Sequence, residues 1–134
     1  MKLIAVTVDA EVAGVDYLEA GLVLQGEDVT VGAHEPTDWS VATKPHVQIA
    51  LDGTPNATYP ATAAATVRIT VWATSTGEAK RLARLSQAVI VAHPGDAGVQ
   101  SVQHLTGVLP TRDPDTRAEL ATCTVRMNLG YTEA

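Results

Sequence analysis

Phenylalanine is absent from this 134-residue chain, and the aromatic residues together make up only 4% of it. The interior must therefore be filled by Val, Leu, Ile and Ala. A single cysteine, Cys123, excludes an internal disulfide and leaves no second thiolate for a zinc site. No apolar run approaches the roughly 20 residues needed to span a bilayer. Met1 to Val6 starts apolar, but Asp9 and Glu11 end the stretch too early for a signal peptide, so a soluble chain made in the cytoplasm is expected. A basic excess is missing as well. The net charge of −6 and a pI near 5.0 argue against nucleic-acid binding over a broad outer surface and leave room only for a local basic patch.

What is present reads as an ordinary globular chain, 46% hydrophobic and 18% charged. Its length fits one domain over 1–134, able to bury a core without staples. The most informative stretch runs from Thr66 to His93, where a strand is delivered directly into a helix. Val67, Ile69, Val71 and Ala73 alternate with Arg68, Thr70, Trp72 and Thr74, and the stretch is rich in β-branched residues. The period then changes. Ser75-Thr76-Gly77-Glu78 has capping-box spacing, in which the Ser75 hydroxyl accepts from the Glu78 amide while the Glu78 carboxylate reaches back. Ala79, Leu82, Ala83, Ser86, Val89 and Ile90 recur at helical intervals, widened by Leu85, with Lys80, Arg81, Arg84 and Gln87 on the opposite face. Pro94-Gly95 stops the helix, giving Thr76–Ala92.

Upstream, Val8, Val12, Val15, Leu18 and Leu22 predict a helix from about Asp9 to Leu24, closed by Gly21 or Gly26. Lys2 to Thr7 is a short strand or a lead-in. Val29-Thr30-Val31 suggests another strand, and His34 to Trp39 reads as an irregular loop. Pro45 to Leu51 alternates, with Val47, Ile49 and Leu51 on one face, before the turn signal Asp52-Gly53. Thr54 to Ala65 reads as a long exposed connection of Ala, Thr and Pro. Val99 to Leu109 is a less regular strand, Pro110 to Arg117 a charged turn region, and Ala121 to Leu129 a last strand with Cys123, Val125, Met127 and Leu129 inward.

Catalytic chemistry is hard to find in this pattern. His34, His46, His93 and His104 are scattered, without ligand spacing, and read as surface or partly buried imidazoles. Cys123 sits on the apolar face of a strand, where it serves as a small core residue. Gly95-Asp96-Ala97-Gly98 lacks the spacing of a phosphate loop. Asp113 and Asp115, beside Arg112 and Arg117, read as a solvated turn before an acid pair. No catalytic residue, metal or cofactor is expected.

The amphipathic N-terminal helix carrying Val15-Asp16-Tyr17-Leu18 comes first in this layout. A proline-containing strand region follows, then the strand Val67–Ala73 running into Ala79-Lys80-Arg81-Leu82-Ala83, and last the strands around Leu109-Pro110-Thr111-Arg112-Asp113-Pro114-Asp115. This order resembles the tail terminator, or tail completion, proteins of long-tailed bacteriophages, especially those of actinobacterial hosts, over nearly the whole chain. The resemblance implies an α+β fold with two helices packed on one face of a small, mixed, mostly antiparallel sheet of four to five strands. It also implies a virion protein of the tail and neck, built into a hexameric ring that caps the head-proximal end of the tail tube, ends its polymerisation and joins it to the head connector. The partners implied are further copies of itself, the major tail tube protein, the head–tail connector or stopper, and DNA passing through the lumen without sequence recognition; no membrane is involved. Candidate contacts are Arg112, Asp113, Asp115 and Arg117 in the charged turn and Lys80, Arg81 and Arg84 on the helix. A neighbouring neck component, such as a stopper or adaptor, is the nearer alternative, separated by whether the protein binds the tube or the portal side. A small intracellular binding or regulatory domain is the more distant one, favoured by a chain that stays monomeric under every condition.

Overall fold

The computed structural model describes residues 5–36, 39, 44–52, 56–58, 62–113 and 118–133. Two helices pack with a mixed, mostly antiparallel sheet, an α+β fold. The elements in chain order are β1 (Ala5–Thr7), α1 (Ala10–Leu24), β2 (Thr30–Gly32), β3 (His46–Leu51), β4 (Asn56–Thr58), β5 (Thr62–Ala73), α2 (Thr76–Val91), β6 (Val99–Arg112), β7 (Glu119–Leu129) and β8 (Tyr131–Glu133). The main sheet has the order β2-β3-β5-β7-β6, with β4 folded back onto β5. Among the described residues of this sheet only β2 and β3 are parallel, and every other pairing is antiparallel. β1 and β8 form a separate two-stranded ribbon.

Alternation places β5 at the centre of this sheet. Its odd-numbered residues Ala63 to Ala73 are all buried, in register with Val47 and Ile49 of β3 and with Ala121, Cys123, Val125, Met127 and Leu129 of β7. One cross-strand row is Ile49–Ile69–Cys123, the next Val47–Val71–Ala121. Both helices cover this face: Leu18 and Leu22 of α1 and Ala79, Leu82, Ala83 and Ile90 of α2 join the same core. The even-numbered face is polar, made of residues such as Gln48, Thr70, Thr122 and Thr124, and is capped at one end by a small cluster of Trp39, Trp72 and Ala118.

The helix ends follow local chemistry. Asp9 caps α1, its carboxylate accepting from the Glu11 and Val12 amides at 3.0 and 3.2 Å. At the other end Gly26 takes φ 77°, and the bonds Gly26 N to Val23 O and Glu27 N to Leu22 O, both 3.0 Å, complete a Schellman closure. Gly21 therefore does not end the helix. It lies mid-helix against Val89, where a Cβ would collide with the valine side chain, so it lets the two helices approach closely. Ser75 caps α2 by accepting from the Glu78 amide at 3.2 Å, but the Glu78 carboxylate turns outward to Arg81.

Several sequence expectations are corrected. Thr54 to Ala65 is no exposed connection where it is described: Asn56–Thr58 is β4, and β5 begins at Thr62, with Ala63 and Ala65 buried opposite Leu129 and Met127. Small residues fit there beneath large partners, and packing overrides the low strand propensity of alanine. Pro110, Thr111 and Arg112 belong to β6, not to a turn, and Pro110 pairs with Ala121. An edge strand tolerates proline because its outer side needs no ladder donor. Val12 and Leu51 are exposed, so the inner stripe of α1 is Ala10, Gly14, Leu18 and Leu22. Gln87 is buried on α2, not solvated, because its side-chain amide bonds strand carbonyls.

Candidate interaction surfaces

The residues singled out from the sequence fall into two groups that share one end of the molecule. Arg112, the last residue of β6, pairs with Glu119 at the start of β7, Nη2 to Oε1 2.7 Å. The Thr76 hydroxyl, in the first turn of α2, donates to the other oxygen of that carboxylate at 3.2 Å. One glutamate thus ties the β6–β7 ends to the helix start, and the Arg112 guanidinium holds its carboxyl below the ordinary range. The Asp113 amide donates to the Ala118 carbonyl at 3.0 Å. Asp115 and Arg117 lie outside the described residues.

On α2, the three basic residues have different fates. Arg81 is clamped between Glu27, 2.6 Å away, and Glu78, 2.7 Å away. The bonds to Glu78 and Glu27 raise its pKa further, and the first of them lowers that of Glu78. Arg81 therefore links the α1 exit to α2 and is already occupied. Lys80 and Arg84 are exposed and make no ion pair among the described residues. With Gly77, Arg81 and Leu85 they line an open, cationic depression.

Three features escaped sequence reading. β6 runs for 14 residues along the sheet edge, with Leu105 52% and Leu109 67% exposed. Its pairing with β7 slips between His104 and Thr106 and again between Thr106 and Leu109. Gln87 answers that irregularity: its side-chain amide donates to the Thr106 carbonyl at 2.8 Å and the Thr124 carbonyl at 3.2 Å. The third feature is His46, buried against Trp72, whose ring nitrogens lie 2.6 Å from the Thr30 hydroxyl and 2.9 Å from the His34 carbonyl. Those bonds fasten β2 and its loop to β3. The sequence showed only an imidazole at an even strand position.

No protein-family model and no curated protein matches this chain. The functional reading must come from the surfaces. Among the described residues no cluster of three or more His, Cys, Asp or Glu is placed to hold a metal, and no helix is long and apolar enough to cross a membrane. His93 accepts from the Gly95 amide at 2.9 Å and packs against Tyr17 with ring centroids 4.4 Å apart and planes tilted by 46°. Cys123 is buried under Ala83, and loss of solvent pushes its thiol up to about 12. At neutral pH such a thiol carries almost no thiolate, the form in which cysteine attacks.

Proposed function

We propose that the chain is a structural virion protein, one subunit of a hexameric ring that caps the head-proximal end of a phage tail tube and joins it to the head connector. The resemblance in element order suggests this reading. The observation that carries it is the edge of the sheet. β6 offers a 14-residue strand whose outer side has no strand neighbour among the described residues, and it exposes two leucines there. Monomeric proteins usually blunt such an edge, because its unpaired backbone groups and apolar side chains invite another chain. Pro110 and the register slips interrupt the strand without covering it. At the opposite edge lies β2, only three residues long. Unlike edges suit head-to-tail contacts, which close into rings when the rotation between neighbours allows it.

In this reading the ring partners are further copies of the chain, the tail tube protein and the head–tail connector, with DNA passing through the lumen unread. The protein carries out no catalysis. Electron micrographs of the purified protein, alone and with the connector protein, test the proposal. Closed rings of uniform size that bind the connector are expected. Particles that remain monomers under both conditions contradict it.

A further inference from the structure

The outward face of α1 is unusual for a helix lying on a protein surface. Its inner stripe is buried, yet Val12 is 57%, Val23 67% and Leu24 84% exposed. Val12, Asp16, Ala20 and Val23 follow one another at spacings of four, four and three residues, with Glu19 beside Ala20 and Leu24 beside Val23, and all are exposed, so they form one outer stripe. A helix that is apolar on both faces belongs between two packing layers. Here the sheet supplies only one.

The complement to this row stands on the same molecule, unpaired with it among the described residues. α2 presents an outer row of Gly77, Lys80, Arg84 and Ala88, all exposed, with Lys80 and Arg84, which make no ion pair among the described residues, one turn apart. The helices lie antiparallel, with Tyr17 against His93, Gly21 against Val89, and Glu27 bonded to Arg81. Asp16 and Glu19 therefore sit toward the C-terminal end of α2. Among the described residues no ion pair joins Asp16 or Glu19 to Lys80 or Arg84 within the subunit. Arg81 is not available, being held by Glu27 and Glu78.

We infer that the α1 outer row of one copy docks on the α2 outer row of the next. Asp16 and Glu19 would pair with Lys80 and Arg84, and Val23 and Leu24 would press into the depression lined by Gly77, Lys80, Arg84 and Leu85. Two carboxylates meet two cations, and the aliphatic stems of Lys80 and Arg84 add apolar contact for the valine and leucine. Donor and acceptor patches are different surfaces, so the contact is head-to-tail. It builds on the ring reading above for its closure, but not for its existence.

Charge reversal tests the contact. Lys80→Glu with Arg84→Glu, and separately Asp16→Lys with Glu19→Lys, should each weaken self-association about tenfold or more in sedimentation velocity while circular dichroism stays unchanged. The chain carrying all four substitutions should regain association, because the pairs are restored with opposite sign. Raising salt should weaken the parent contact. Either reversed variant associating like the parent, failure of the fourfold variant to recover, or a parent that stays monomeric at all concentrations would overturn the inference. Parent particles that form open chains or dimers through these residues would leave the contact standing and remove the ring. Rings indifferent to every reversal would do the opposite.

Discussion

At the residue scale, the buried positions with directional work are the most consequential. Leu82 is fully buried where α2 meets the sheet, and truncation to Ala should cost about 2–5 kcal/mol, the range for removing leucine from a packed core. A Leu82→Ala chain melting at the parent temperature would show that the helix does not pack as described. Gln87 makes a subtler case. Two strand carbonyls accept from its amide, so Gln87→Leu should cost about 1–3 kcal/mol although it adds apolar surface, because both part-buried acceptors lose a donor. Denaturant titration checks this, and a stabilised Gln87→Leu variant would mean that water reaches those carbonyls. Cys123 should react with thiol reagents at pH 8 only as fast as the chain unfolds, since burial suppresses its thiolate. Labelling that keeps pace with a free thiol under native conditions would contradict the burial. Gln87 was illegible in the sequence for a physical reason: its polarity predicted water, and the carbonyls it reaches, those of Thr106 and Thr124, come within its range only where folding slips the register between β6 and β7.

At the scale of elements, the strand–helix unit from Thr66 to Val91 could be read directly, because period-two alternation, a serine cap and a helical stripe agreed with one another. α1 was legible in its limits but not in its facing. Val12 fitted the helical stripe with Leu18 and Leu22 yet is exposed, while Ala10 and Gly14 face the core. β4 and the start of β5 were hidden by alanines, whose value lies in fitting under Met127 and Leu129, a fact of pairing and not of local sequence. The end of β6 was hidden by Pro110, which signals a turn everywhere except at a sheet edge. The ion pairs at the helix ends give the elements a pH dependence with a definite sign. The carboxyls of Glu119 and Glu78 are held below their ordinary value of 4.5 in the folded chain. Their contribution is therefore complete above that value and is lost as pH falls through the depressed native values. Below pH 4.5 the melting temperature of Glu119→Gln should fall less steeply with acidification than that of the parent, and parallel curves would remove the Arg112–Glu119 pair from the stability of the fold.

At the scale of the whole molecule, the α+β architecture with both helices on one sheet face follows from the order of patterns along the chain. The surfaces do not. Of the proposed contact residues, Arg81 and Arg112 are engaged within the subunit, while Lys80 and Arg84 remain open to a neighbour. Charge alone could not sort them, since the sorting depends on Glu27 and Glu119, distant in sequence and brought close by folding. The edge of β6, without a strand neighbour among the described residues, and the mixed apolar and acidic outer row of α1 then give the molecule two surfaces that a neighbour would cover. The most direct measurement of the ring-capping account is imaging of tail-tube ends, assembled from purified tube protein with and without this chain. The account predicts a ring at one end of each tube and growth arrested at that end. Tubes whose two ends look alike, and whose lengths do not change when the chain is added, would contradict it.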